Sequence, residues 1–237
     1  MMRHLALALA FALALGQPAT AAVKASDVVA RAVDGFVRPA YDRLRDHAAS
    51  MAGAMKNLCE APSPQHLEAA RTQFLGLVEA WSAAEIIRFG PITEDNRLER
   101  MLFWPDRKGI GLKQVQAALA ARDATAAHPA GIAGKSVAMQ GLGALEFVLH
   151  GTGADALTAA GDPYRCAYGR AVAGNVEQIA ADVAQAWDRP DGFAAVWETP
   201  GPDNAVYRDG GEAVTELVGA FIEGLDIIRD VRVKGFI

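Results

Sequence analysis

The chain has 237 residues, of which 51% are hydrophobic and 22% charged, and its formal net charge is -5. Acidic and basic residues are interspersed and no basic run occurs, which argues against nucleic acid as a partner. The part that follows residue 21 is long enough to bury a sizeable core, as one large domain or two small ones.

The first residues have the pattern of a secretory signal peptide. A short basic region at Arg3 and His4 precedes an apolar run, residues 5–15, that is too short to span a bilayer as a helix. The sequence Ala-Thr-Ala at 19–21 then offers a small-residue cleavage site. We predict cleavage after Ala21 and export without a stable membrane anchor. An uncleaved membrane anchor is the alternative.

Apolar residues recur at helical spacing from one end of the chain to the other, and no segment alternates in the manner of a strand. A kink or a break is expected near Pro39, and Trp197 is expected in an irregular segment. The pattern therefore predicts an all-α fold of up-down helical bundles. The predicted helices run from 26 into the late fifties and over 63–89, 95–103, 112–122, 131–149, 163–187 and 204–231.

Two cysteines, Cys59 and Cys166, are present. In an exported chain such a pair predicts a disulfide, here closing a loop of about a hundred residues and worth up to roughly 4–5 kcal/mol in the chain-entropy model. Two free thiols are the alternative. A metal site on this pair is less favoured, because neither cysteine has a second thiol or a histidine at ligand spacing.

The passage from Arg88 to Asp106 is polar, aromatic and interrupted by prolines. Arginines beside aromatic residues suit the binding of an anion such as a carboxylate or phosphate. The alternative is a salt-bridge network that holds a crossover loop, with Trp104 as a packing anchor. The candidate residues in this passage are Arg88, Asp95, Arg97, Glu99, Arg100, Trp104 and Asp106.

Glu146 is the one acid in an apolar helical segment, residues 139–151. Its neighbours predict that it is half-buried or buried, and a buried carboxylate needs a partner. That partner could be a metal ion or one of three arginines, Arg88, Arg97 or Arg100.

His150 follows Glu146 by four residues and would lie on the same helix face. The two side chains could share a metal ion, although two ligands from one helix do not make a site. A histidine placed favourably at the helix C-terminus is the other interpretation. Gly141 and Gly143 are expected to permit close helix approach rather than phosphate binding, because no strand precedes them.

The segment GLGALEFVLHG resembles the signature helix of the imelysin-like proteins, which carries the motif G-x-H-x-x-E. Gly141 matches the leading glycine and Glu146 the glutamate, while Gly143 stands at the position of the histidine. The segment RFGPITEDNRLERMLFWPDRKG also resembles the Gly-Pro and Phe-Trp-Pro-Asp segments of one branch of the family. Together with the predicted helices and export signal, the resemblance covers most of the mature chain.

This resemblance implies an exported bacterial protein made of two related helical bundles, with a functional pocket between them to which the motif helix contributes. The family is often linked to iron acquisition, and some members were named as peptidases. The missing histidine removes the obvious metal ligand. The chain also ends at residue 237 directly after a helix, where family members continue with more helices. We therefore expect an incomplete second bundle, which would leave an apolar face exposed or in need of a partner.

We therefore expect residues 22–237 to form an imelysin-like helical domain in the periplasm. Its expected function is non-enzymatic binding of an unknown small ligand or metal, linked to iron or other metal acquisition. Glu146 and the loop from Arg88 to Asp106 would share the pocket, and iron or a divalent metal is the candidate cofactor. The alternatives are a metal-dependent peptidase and a helical interaction module completed by a partner chain.

Overall fold

Residues 23–159 and 161–234 are described by the computed structural model, and they form ten α-helices with no strand. The all-α prediction is confirmed. The predicted signal peptide, residues 1–21, lies outside the described residues. Within them, no helix combines the length and the apolar character that crossing a membrane requires. The helices are α1 Ala25–Ala32, α2 Arg38–Glu60, α3 Pro64–Ala84, α4 Arg97–Met101, α5 Ile110–Ala121, α6 Pro129–Ala133, α7 Gly141–His150, α8 Pro163–Asp188, α9 Phe193–Glu198 and α10 Gly210–Asp226.

The central layer consists of α2 with α3 and α8 packed against it. Residues 61–63 join α2 to α3, and so short a connection produces a helical hairpin. The predicted disulfide is confirmed: Cys59, near the end of α2, is bonded to Cys166, in the first turn of α8, with 5.6 Å between their Cα atoms. The bond fixes the start of α8 to the hairpin.

Side-chain caps set where several helices begin. Ser63 Oγ accepts a hydrogen bond from the backbone N–H of His66 at the start of α3. Asp209 accepts from Gly211 and Glu212 in the same way, so α10 starts at Gly210 and not at residue 204 as predicted. Such caps satisfy backbone donors that have no partner inside the helix.

The prediction of one continuous helix over 131–149 is wrong. The structure has α6, a 3-10 turn at Val137–Met139 and then α7. The break occurs because Gly141 has φ +68°, a conformation that ends one helical path and starts another. In place of the kink expected near Pro39, the structure has a π-helical turn, Val33–Val37, which ends directly before α2.

Trp197 was predicted to lie in an irregular segment, and this is wrong, because it belongs to α9. Its ring is 4.9 Å from that of Phe89 and 6.2 Å from that of Trp187, measured between centroids. The indole Nε1 donates a hydrogen bond to the carbonyl of Ala213 at 2.9 Å. This aromatic cluster docks α9 onto α8 and stabilises a helix too short to form alone.

Candidate ligand-binding site

The first residue of α7 fixes where this helix crosses α4. A Cβ atom on Gly141 would lie 2.2 Å from the carbonyl oxygen of Met101 and 2.5 Å from that of Arg100. Only glycine fits this approach and its positive φ. Gly143 is different, since a Cβ there would meet nothing within 4 Å. The expected close helix approach is therefore found at Gly141 and absent at Gly143.

The C-terminal end of α7 is held by Arg165, which is only 4% exposed. Its guanidinium donates to the carbonyls of Phe147 at 2.6 Å, Val148 at 3.0 Å and Thr152 at 2.8 Å. The Val148 carbonyl is one that the end of the helix leaves without a backbone donor, whereas the Phe147 carbonyl also accepts the N–H of Gly151 at 3.0 Å and Thr152 lies just beyond the helix. Burial lowers the pKa of Arg165, with Asp162 acting in the opposite direction. Sequence reasoning missed this residue.

A buried polar cluster holds the other end of α7. Gln140 Oε1 accepts hydrogen bonds from Arg100 Nε at 3.2 Å and from Asn175 Nδ2 at 3.0 Å. Arg100 also donates to Asn175 Oδ1 at 2.7 Å, and Gln140 Nε2 donates to the carbonyl of Lys135 at 2.7 Å. The oxygen and the nitrogen of the Gln140 side-chain amide are thus both hydrogen-bonded, which fixes the chain just before α7.

With both ends fixed, α7 presents one open face. Gly143, Glu146 and His150 are exposed on it, while apolar residues such as Leu145 and Val148 are buried on the other side. The expectation that Glu146 is buried is wrong, because its apolar sequence neighbours point away from its face. No ion pair to Glu146 occurs among the described residues, so the predicted pairing with an arginine is not found.

Three adjoining cavities share Leu102 and Trp104 in their linings, and we name them together the Trp104 groove. The first, of about 420 Å³, is lined by the open face of α7 and by Asp106. The second, of about 630 Å³, lies between α3, α7 and the segment after α10, with Glu146 and Arg232 in its lining. The third, of about 390 Å³, adds Arg88.

Trp104 is 41% exposed and stands where the three cavities meet. The guanidinium of Arg232 lies over its ring, 5.3 Å from the centroid. Arg232 also forms an ion pair with Glu85, the residue that follows α3. Burial raises the pKa of Glu85 above its ordinary value, although Arg232 acts against this rise. Trp104 is therefore both a packing partner of Arg232 and an exposed surface of the groove.

The predicted site residues are only partly brought together. Glu146, His150, Trp104 and Asp106 line the first cavity. Both carboxylate oxygens of Asp106 accept backbone N–H groups at the start of α5, from residue 110 at 2.7 Å and residue 111 at 2.8 Å. Asp106 thus caps a helix and forms part of the lining.

The three arginines of the predicted site lie apart. Arg88 lines the third cavity and is 3.5 Å from the Glu223 carboxylate. Arg97 donates to the Pro91 carbonyl at 2.8 Å and lines a separate depression beside α8. Arg100 donates its hydrogen bonds within the buried polar cluster at the start of α7. The crossover loop is thus held largely by the internal polar contacts that the alternative interpretation expected.

The donor set for a metal ion is small. Glu146 and His150 share the open face of α7, four residues apart, and Gly143 supplies no side chain at the third position of the motif. Among residues 23–159 and 161–234, no three His, Cys, Asp or Glu side chains are grouped to hold a metal. Protein-only metal centres use three or four ligands, so these residues do not fit a resident metal centre built by the chain alone.

Comparison with known proteins agrees with this architecture. The family model described as imelysin, and labelled as a peptidase, matches residues 37–236. The fold is similar to the crystal structure of an imelysin-like protein from Psychrobacter arcticum 273-4, with a TM-score of 0.72 and 20% identity. The match covers 87% of this chain and 61% of that chain, so this chain spans about three-fifths of that protein. No curated protein matched. The chain belongs to the imelysin family.

Proposed function

We propose that this chain is an exported, periplasmic binding protein that holds its ligand against the open face of α7 without catalysing a reaction. One observation carries the proposal: the Glu146 carboxylate faces a cavity of about 420 Å³. The face is rigidly presented, because Gly141 fixes one end of α7 and Arg165 the other. A preformed cavity with few polar groups is the usual form of a small-molecule site.

We further propose that the cargo is linked to iron or other metal acquisition. Glu146 and His150 supply two donors on one face, and a metal carried as a complex would bring its remaining ligands with it. A metal-dependent peptidase, the alternative that the family label suggests, needs an activated water on a metal with at least three protein ligands. Glu146 and His150 are only two protein ligands, which favours binding of a metal complex over catalysis of peptide hydrolysis.

Metal titration of the purified protein tests this function. Wild type should bind Zn²⁺ or ferric citrate above background, and Glu146→Ala and His150→Ala should each weaken binding about tenfold or more. Glu60→Ala is the matched control, because Glu60 is an exposed acid outside the Trp104 groove. Absence of binding by wild type would refute the metal link. Turnover of a protein substrate that a chelator abolishes would refute the non-enzymatic role.

A second candidate function, an interaction module, is favoured by the surface of α10. Four large apolar side chains of α10 and one from the π-helical turn that follows it, Ile227–Val233, are each 48–57% exposed, and their spacing places them on one stripe. Such a stripe leaves on the order of several hundred Å² of apolar surface, the size at which exposed patches have a function. The five residues are Val218, Phe221, Ile222, Leu225 and Ile228.

The occupant that we propose for this stripe is a second copy of the chain, with the two α10 helices antiparallel. Glu212 and Glu216 make the start of α10 acidic, whereas at its end Arg229 and Lys234 are paired with Asp226 and Asp230. In an antiparallel pair the two acidic starts lie at opposite ends of the interface and do not repel each other. The apolar area is below the roughly 800 Å² per partner of a standard interface, so a weak dimer is expected.

Light scattering over a range of protein concentrations tests this second candidate. Wild type should approach the mass of a dimer as concentration rises, and the double substitution Phe221→Ser and Leu225→Ser should remain monomeric. A stable wild-type monomer at every concentration would refute self-association through α10. A wild-type dimer that the double substitution leaves intact would place the interface elsewhere.

A further inference from the structure

The second cavity of the Trp104 groove has an unusual distribution of charge. It is the largest of the three, at about 630 Å³, and among the described residues Glu146 and Arg232 are the only charged ones in its lining. The remaining lining is mostly apolar or aromatic, with contributions from Leu75, Val78 and Trp81. One negative group, one positive group and an apolar surface thus face the same space.

We infer that this cavity binds a zwitterionic, apolar ligand of the size of a dipeptide, with its ammonium group at Glu146 and its carboxylate at Arg232. The inference rests on the proposed binding function and assigns a ligand class to the same groove. Cavities of this volume hold small organic ligands, and a few polar groups in them fix the orientation of the ligand.

At the acidic end, Glu146 is exposed and its carboxylate has no ion pair within the described part of the chain. A carboxylate without a cationic partner is free to accept charge-assisted hydrogen bonds from a ligand ammonium group. The neighbouring position on the same helix face is Gly143, where even a Cβ would meet nothing within 4 Å. The approach to Glu146 along α7 is therefore open.

At the basic end, Arg232 is held in place by two contacts, its ion pair with Glu85 and its stacking on Trp104. A guanidinium has five N–H donors arranged in a fork, so one carboxylate partner leaves donors for another. Glu85 contacts the guanidinium through its Oε1 and Arg232 Nη2, so other N–H groups of the fork are not used by this pair. Arg232 is thus oriented and still able to bind a ligand carboxylate.

The apolar lining suits apolar side chains on the ligand. Leu75 is 60% exposed and Trp104 is 41% exposed, and both belong to the lining of this cavity. Large apolar groups on a protein surface gain most when a ligand removes them from water. A dipeptide with aliphatic and aromatic side chains, such as leucyl-phenylalanine, would cover both.

Titration calorimetry with leucyl-phenylalanine and two blocked forms tests each charge from the ligand side. N-acetylation removes the ammonium group, and C-terminal amidation removes the carboxylate. Each blocked form should bind wild type at least tenfold more weakly than the parent dipeptide. Equal binding of all three compounds, or no binding of the parent at millimolar concentration, would overturn the inference. These arms need no substitution in the protein.

Substitutions then assign each charge to its residue. Glu146→Gln should weaken the parent dipeptide about tenfold and leave the N-acetyl form unaffected, since that form has no ammonium group to lose. Arg232→Gln should likewise weaken the parent dipeptide about tenfold. It should leave binding of the C-terminal amide form unaffected, since that form has no carboxylate to lose. Glu60→Gln and Arg229→Gln are the matched controls, because both residues are exposed and outside the groove. If the two test variants bind all compounds like the controls, the assignment is refuted.

Failure of this inference can be told apart from failure of the proposed function. If wild type binds Zn²⁺ or ferric citrate through Glu146 and binds no dipeptide, the zwitterion inference fails and the proposed function stands. If the dipeptide binds through both charges and no metal binds, the groove is a peptide-binding site without a metal link. If neither binds, both are refuted.

Discussion

Two glycines on the same helix should respond to the same substitution with opposite signs. Gly141 and Gly143 both belong to the first turn of α7, and both belong to the stretch that resembles the family motif. Gly141 has φ +68° and packs against the carbonyls of Met101 and Arg100, whereas Gly143 is exposed and has open space around it. Replacing each glycine by alanine therefore compares a position where the fold requires glycine with one where the fold accepts a side chain.

The magnitudes follow from these surroundings. Gly141→Ala places an L-residue at positive φ, which costs about 1–2 kcal/mol. Its Cβ would lie 2.2 Å from a backbone oxygen, and relieving such overlap costs about 1–3 kcal/mol more. We expect a loss of about 3 kcal/mol of unfolding free energy. Gly143→Ala adds a better helix former at an exposed helical position and should gain about 0.5–1 kcal/mol.

Urea and thermal denaturation followed by circular dichroism measure the difference. For a chain of this size about 1 kcal/mol corresponds to about 2–4 °C in Tm. Gly141→Ala should lower Tm by about 6–12 °C, while Gly143→Ala should raise it by about 1–4 °C. If Gly141→Ala proves as stable as Gly143→Ala, the close crossing of α7 over α4 is not as described.

Three further predictions concern the supports of the fold. Arg165→Met should cost about 3–5 kcal/mol in urea unfolding, because it removes the donors to the carbonyls of Val148 and Thr152; a loss below about 1 kcal/mol would contradict this role. The oxidised protein should gain two mass units on reduction of Cys59–Cys166 and lose about 4–5 kcal/mol of stability; free thiols in the oxidised preparation would refute the bond. The hydrogen bond from Lys135 lowers the pKa of Asp123 from 3.8 to about 2. A carboxyl with a depressed folded-state pKa stabilises above its unfolded pKa, and this contribution is lost as pH falls from about 4 to 2. Asp123→Asn should therefore flatten the stability profile in this window, and an unchanged profile would refute the linkage.

The long helices could be predicted from the sequence because their apolar stripes are long and periodic. Helix α8 is found close to its predicted bounds, and α2 ends and α3 begins near the predicted residues, with Ser63 explaining where α3 begins. The predicted end of α3 at residue 89 is wrong, because the helix ends at Ala84. The break at Gly141 could not be predicted in this way, since its cause is the carbonyls of α4, 40 residues earlier in the chain. The helix containing Trp197 was missed for the same reason, because distant aromatic partners stabilise it.

The site was predicted in part. The segment around Glu146 and the passage up to Asp106 do meet at one cavity. The sequence prediction that Glu146 is buried rests on its immediate neighbours in the chain. An α-helix has 3.6 residues per turn, so those neighbours lie on other faces of the helix, while positions 143, 146 and 150 share the open face. Arg97 and Arg100 have internal partners that no local pattern reveals. Arg232 was not predicted, because only the packing of the last segment brings it to Trp104.

The central claim is that the open face of α7 binds the ligand through Glu146. Trp104 is 41% exposed in the groove, whereas Trp81, Trp187 and Trp197 are buried, so tryptophan emission on ligand addition reports mainly on Trp104. Titration of wild type with Zn²⁺ and with ferric citrate should give a saturable change in emission. The Glu146→Ala variant should need at least ten times more of each. An identical titration curve for Glu146→Ala, or no saturable change in wild type, would contradict the claim.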